Sequence, residues 1–200
     1  MKNFLLKLFS RRKKPLVIII RGAPSTGKTT TAHEIRKRLP DSFILSFDSL
    51  VAMNVPEELV GEERIGTWGK MRPLGHELGY ILTSYLLKRG KNVIIEEMLP
   101  DATEIRKIVR LTNSCGAKPF VFELTAPREV IKRREKIRRD LNPEKPVEMI
   151  IDLLTNNPYP EATKIDTSKK SAEKCADFIL SYIRRSSSEM DGERKDYPLE

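Results

Sequence analysis

The run Leu16-Val-Ile-Ile-Ile20 leads, through Arg21, into Gly22-Ala-Pro-Ser-Thr-Gly27-Lys28-Thr29, and then into a stretch with Ala32, Ile35 and Leu39 at helical spacing. No other feature of the chain constrains its fold as strongly. A continuous β-branched run predicts a strand buried on both faces, as in a parallel sheet. The octapeptide fits G-x-x-x-x-G-K-[ST] without a mismatch and lies between strand and helix, as that motif requires. Gly22 and Gly27 let the backbone bend so that successive N–H groups face inward. Together with the helix N-terminus they form an anion site for phosphate oxygens. Gly22, Ala23, Pro24, Ser25, Thr26, Gly27, Lys28, Thr29 and Thr30 are therefore the expected nucleotide-binding segment. Lys28 is expected to place its charge at the β- and γ-phosphates. Thr29 is expected to offer a hydroxyl to Mg²⁺, which prefers oxygen ligands. The guanine-reading N-K-x-D motif is absent, so ATP is the expected nucleotide.

Strand and helix patterns alternate along the rest of the chain. Strands are expected at 43–47, 93–95, 120–124 and 164–166. Leu74, Leu78, Ile81, Leu82, Tyr85 and Leu86 predict an amphipathic helix stopped at Gly90, and Ile105, Ile108, Val109 and Thr112 predict another, stopped at Gly116. Pro127 opens a third, and a fourth is expected over 171–185. Such alternation predicts an α/β fold of three layers, a parallel sheet flanked by helices on both faces.

At 200 residues the chain suits one domain, expected over 15–185. The polar segment 186–200 reads as a disordered tail. Residues 1–14 pair Phe4, Leu5, Leu8 and Phe9 with six cations, a basic amphipathic extension. It could touch lipid or RNA, extend into solvent, or pack on the body. No apolar run approaches the roughly 20 residues of a membrane span. The two cysteines, Cys115 and Cys175, read as buried reduced thiols, and the cytoplasm is the expected location. The net charge of +9 favours polyanionic partners without choosing among them.

Ligands of an open parallel sheet lie beyond the carboxyl ends of its strands. Asp48 stands at such a place. It could take a proton from, or orient, an attacking hydroxyl, or it could cap a helix at 49–53. Glu96 and Glu97 stand at another. One of them, preferably Glu96, could hold a water on Mg²⁺, and a salt bridge is the alternative. Between Pro127 and Asp140 the chain is rich in arginine and lysine. Arg134 and Arg138 share a helix face and could clamp a triphosphate. A solvated surface and an RNA-binding stripe are the alternatives. This helix and the charged, proline-containing connection after it would form a lid that excludes water. The segment 54–75 is expected to rise over the same end of the sheet and bind the acceptor. Arg72 would suit an anionic acceptor and Trp68 a flat or apolar one, with packing the alternative for Trp68; His76 is a weaker candidate for proton transfer.

The combination IIIRGAPSTGKTT, SFDSL, NVIIEE, RREKIRRD and KIDTS resembles the small P-loop kinases of the chloramphenicol phosphotransferase type. More distantly it is similar to zeta-toxin kinases and the kinase domain of polynucleotide kinases. The resemblance covers about residues 16–184 and implies a P-loop NTPase sandwich with a helical lid. It implies Asp48 as general base, Arg134 and Arg138 as lid arginines on phosphate, and the loop with Thr167 near the adenine. The chain departs from the phosphotransferase pattern at Glu96-Glu97, where that pattern has two aspartates. It departs again through most of 54–75, so no antibiotic acceptor is carried over. The expected function is ATP-dependent phosphorylation of a small-molecule hydroxyl. A nucleic-acid-end kinase and an ATP-dependent switch without an acceptor are the alternatives.

Overall fold

The computed structural model describes residues 14–59, 61–139 and 147–192. The expected role of 1–13 and the connection 140–146 lie outside them. Five strands form one fully parallel sheet: β1 (Leu16–Arg21), β2 (Ser42–Leu45), β3 (Asn92–Glu96), β4 (Lys118–Thr125) and β5 (Thr163–Asp166). Their order is β2-β3-β1-β4-β5, so the motif-bearing strand is central. Seven helices complete the described chain: α1 (Lys28–Arg38), α2 (Phe47–Ala52), α3 (Gly61–Lys88), α4 (Ala102–Ser114), α5 (Arg128–Arg139), α6 (Val147–Asn156) and α7 (Ala172–Gly192).

The alternation of β1 divides the core into two layers. Ile18 and Ile20 face Ala32 and Ile35 of α1 and Ala176, Ile179 and Ile183 of α7. Val17 and Ile19 face Ile105 and Ile108 of α4, Phe47 of α2 and Leu87 of α3. A strand buried on both faces has no solvent side, which is why its sequence shows no period of two. A third, smaller cluster joins Ile131 of α5 and Val147, Ile150 and Leu154 of α6 to Ala23 of the glycine loop. The lid helices thus pack directly on the loop.

Three elements differ from the sequence reading. The segment 54–75 does not simply precede the long helix. Most of it belongs to α3, which runs through Pro73. That helix also buries a different face from the one expected. Leu74, Leu78, Ile81, Leu82 and Tyr85 are exposed, and His76, Gly79, Thr83 and Leu87 face inward. Glycine is the reason. A Cβ at Gly75 would lie 2.3 Å from Val51, and one at Gly79 would lie 2.3 Å from the Phe47 ring. Only a bare backbone lets α3 approach α2 this closely. The second difference is α6, which the sequence reading does not assign although Val147, Ile150, Ile151 and Leu154 have helical spacing. The third is α7, which continues past the expected boundary at Arg185 to Gly192. Lys118 Nζ donates to the Ser186 carbonyl at 3.3 Å there.

Candidate active site

The loop 22–29 joins β1 to α1 at the carboxyl edge of the sheet. Gly22 has φ 146°, and a Cβ there would lie 2.4 Å from the Leu124 carbonyl oxygen. Gly27 has φ 91°. Ser25 also adopts positive φ, at 60°, which a non-glycine residue holds only at a cost of about 1 kcal/mol or more. Its hydroxyl donates to Glu135 of α5, a buried carboxylate to which the sequence reading gives no role. Lys28 Nζ donates to the Ala23 carbonyl at 3.0 Å, and the Thr26 hydroxyl donates to the same oxygen at 2.8 Å. These bonds hold the loop in the arched form a phosphate group needs. Ala23 and Pro24 are buried beneath it, and Thr29 and Thr30 are exposed.

Glu96 and Glu97 are adjacent, yet both serve this edge of the sheet. Glu96 Oε2 accepts from the Thr29 hydroxyl at 3.1 Å. Burial raises its carboxyl above the usual range, and the Lys28 charge works against that rise. A threonine hydroxyl beside a carboxylate is an oxygen donor pair suited to Mg²⁺ that keeps waters and phosphate oxygens as its other ligands. Glu97 turns the other way and is 4% exposed. Its Oε2 accepts from the Asp48 N–H at 2.9 Å and its Oε1 from the Met98 N–H at 3.2 Å. Burial, and then the neighbouring Asp48 charge, push the Glu97 carboxyl up to about 8.

Asp48 lies in the first turn of α2, because β2 ends at Leu45 and not at Phe47. Ser46 supplies the N-cap, its hydroxyl oxygen accepting from the Ser49 N–H at 3.2 Å. The capping role left open for Asp48 therefore belongs to Ser46, and the Asp48 carboxyl is turned toward Glu97.

On the lid side, Arg134 donates to the Thr167 hydroxyl at 3.1 Å and to its carbonyl at 2.7 Å. Thr167 in turn donates from its hydroxyl to the Thr125 carbonyl at 3.1 Å. A cavity of about 180 Å³ lies between the loop and this contact, lined by Thr26, Thr30, Arg134, Thr167, Lys170 and Cys175. Arg138 lies on α5 as expected, but its side chain is outside the described residues. Two other cations of the basic stretch face α6. Arg128 pairs with Glu148 and, at 2.7 Å, with Asp152, and Lys132 pairs with Glu148.

Trp68 and Arg72 are half-buried on α3, one helical turn apart. They precede His76 at the same spacing. Around His76 is a polar cluster that no motif announced. Glu104 of α4 accepts from Tyr80 and, at 2.8 Å, from Lys107, and it lies 3.3 Å from His76 Nδ1. The Phe47 ring meets His76 and Tyr80 edge-on at 5.4 and 5.5 Å. Burial alone would raise the Glu104 carboxyl, but bonds from Lys107, Tyr80 and His76 outweigh it and hold the group at about 2. Beneath the loop, the fully buried Arg21 lies 3.5 Å from Glu123 and donates to the Asn157 carbonyl at 3.2 Å.

A parallel sheet with this strand order and a glycine phosphate loop after the central strand define a P-loop nucleotide-binding domain. The family model described as "AAA domain" matches residues 17–154, more than half of the chain, and the chain belongs to that family. No curated protein sequence matches. Among solved structures, a candidate kinase from Chloroflexus aurantiacus has a TM-score of 0.67 at 17% identity, covering 86% of this chain and 97% of its own. The Deinococcus radiodurans tunicamycin resistance protein has a TM-score of 0.61 at 24% identity, covering 84% and 95%. The Mycobacterium tuberculosis APS kinase, in complex with AMPPNP and APS, has a TM-score of 0.61 at 12% identity, covering 86% and 98%. At these identities the likeness establishes the fold. Among the described residues, no helix is long and apolar enough to cross a membrane.

Proposed function

We propose that this protein is an ATP-dependent phosphotransferase that moves the γ-phosphoryl group to a hydroxyl of a small molecule. One observation carries the reading. The end of β3 ties the phosphate loop and Asp48 to adjacent residues, Thr29 to Glu96 and Asp48 to Glu97. A nucleotide cradle and a carboxyl able to take a proton therefore stand side by side, as in-line transfer to a hydroxyl requires.

In this reading the loop N–H groups and Lys28 hold the phosphates, and the cavity beside Thr167 takes the base. Thr29 and Glu96 would hold Mg²⁺, which when bound neutralises phosphate charge. Asp48 accepts the acceptor's proton as its oxygen bonds to the γ-phosphorus, while the bond from that phosphorus to the bridging oxygen breaks and ADP leaves. Arg134 and Arg138 offset charge on the transferred group. Trp68 and Arg72, half-buried on α3, contact the acceptor. The APS kinase neighbour, held with AMPPNP and APS, supports a nucleotide and a second substrate on this fold. Pairing of Arg128 and Lys132 with α6 removes two cations from the stripe an RNA would need, which favours a small acceptor.

The test is transfer of label from γ-labelled ATP with Mg²⁺ to a panel of nucleosides, sugars, other hydroxylated small molecules and 5′-hydroxyl RNA. A labelled small molecule supports the reading. Label on RNA alone would replace the acceptor class, and slow hydrolysis with no labelled acceptor would favour a switch.

A further inference from the structure

Glu97 has a chemistry that the proposed reaction does not use. It is 4% exposed, and its partners are N–H groups and another acid rather than a cation. A carboxyl is expensive to bury, and a glutamate serving only to fill space here would be worse than a leucine. The Glu97 N–H and both carboxyl oxygens are committed. Its N–H donates to the Ile20 carbonyl at 3.1 Å, next to the residue that leads into the phosphate loop. One carboxyl oxygen takes the Met98 N–H, and the other takes the Asp48 N–H. The Asp48 charge also neighbours the Glu97 carboxyl. The Asp48 N–H is one of those that a helix start leaves without an intrahelical acceptor, so Glu97 supplies what α2 lacks. Glu97 thus links β1, the end of β3 and the start of α2 at the one place where loop and acceptor site must keep a fixed separation.

We propose that Glu97 is a positioning residue for Asp48, gripping its backbone N–H and so fixing that carboxyl beside the phosphate loop. The inference rests on Asp48 being the base. Glutamate is needed for its reach from β3 to α2, and glutamine keeps that reach and an oxygen for the N–H. Aspartate is too short, and alanine removes the grip.

Hydrogen exchange at the Asp48 amide, read by NMR in Glu97→Gln, Glu97→Asp and Glu97→Ala, tests the grip without reference to activity. Exchange is expected to accelerate about ten- to hundredfold in the alanine and aspartate variants, the worth of a hydrogen bond to a charged or strongly polar group. It is expected to stay within about threefold of wild type in Glu97→Gln. Phosphoryl transfer should follow, with kcat lower by about the same factor in Glu97→Ala, KM for ATP unchanged, and near-complete rescue by glutamine. The double variant Asp48→Asn/Glu97→Ala should be no slower than Asp48→Asn alone, because Glu97 works through Asp48. Unchanged amide exchange in Glu97→Ala overturns the proposal, as does a raised KM for ATP with kcat intact. Transfer that survives Asp48→Asn refutes the base assignment, and the amide exchange then still decides whether Glu97 holds Asp48.

Discussion

Ser25 of the phosphate loop donates its hydroxyl to Glu135 of α5, joining loop and lid across 110 positions of sequence. The preceding residue on the helix, Arg134, is hooked to Thr167 after β5. Two neighbouring side chains therefore fix the base of the lid to both walls of the cavity. Glu135→Ala leaves the Ser25 hydroxyl without this partner while Ser25 keeps positive φ. The expected cost is about 1–3 kcal/mol of stability, a fall of roughly 2–10 °C in Tm for a chain of this size. A matching loss of nucleotide affinity is expected in a titration with a fluorescent ATP analogue. Unaltered melting and affinity would show that the contact carries nothing.

The two loop glycines differ in what a side chain would meet. At Gly22 a Cβ collides with the Leu124 carbonyl at 2.4 Å, and backbone cannot move aside cheaply. At Gly27 nothing lies within 4 Å, and only the positive φ resists. Gly22→Ala is expected to cost about 3 kcal/mol or more and to abolish nucleotide binding. Gly27→Ala is expected to cost about 1–2 kcal/mol. Chemical denaturation of both variants checks the order, and equal losses would contradict it.

The Glu104 cluster predicts a pH dependence. Its folded value, about 2, lies below the ordinary 4.5, so its stabilising contribution is complete above 4.5 and disappears as pH falls toward 2. The carboxyl is partly exposed, which limits the contribution to about 1–2 kcal/mol. The stability advantage of wild type over Glu104→Gln should therefore shrink by about that amount between about pH 6 and pH 2.5. A gap that does not change with pH would mean that the carboxylate is unperturbed in the fold.

The exposed stripe of α3 gives a contrast in substitution cost. Ile81 is 63% exposed and Ile105 is fully buried, although both stand in strongly periodic helical patterns. Ile81→Ser should change stability by no more than about 0.5 kcal/mol, and Ile105→Ala should cost about 2–5 kcal/mol. Thermal melts of the pair decide it, and a large loss from Ile81→Ser would mean that the stripe is packed in solution.

That contrast also shows where sequence was a sufficient guide. Residues 16–29 were legible because a buried strand, a glycine loop and a helix start are each specified by local chemistry. The layers followed, because β-branched runs between amphipathic helices have few other ways to bury themselves. On α3 the apolar residues pointed to the wrong face. Close approach depends on what Phe47 and Val51 place opposite Gly75 and Gly79, and no local pattern contains that. Val147, Ile150, Ile151 and Leu154 do mark α6 by their helical spacing, a pattern to which the sequence reading assigned no element. Asp48 was read from its place at the carboxyl edge of the sheet, whereas its tie to Glu97 spans 49 positions and is set by sheet register and the turn into α2. Glu135 was hidden among arginines, and only the fold shows that it faces Ser25.

The most direct test of the central claim is phosphoryl transfer from labelled ATP by wild type, Lys28→Ala and Asp48→Asn, with nucleotide binding measured in parallel. The account predicts a labelled hydroxyl product from wild type only. It further predicts that Asp48→Asn still binds ATP within about threefold of wild type while transfer falls by about a hundredfold or more. Transfer undiminished in Asp48→Asn, or ATP turnover that yields only free phosphate whatever hydroxyl is supplied, would contradict it.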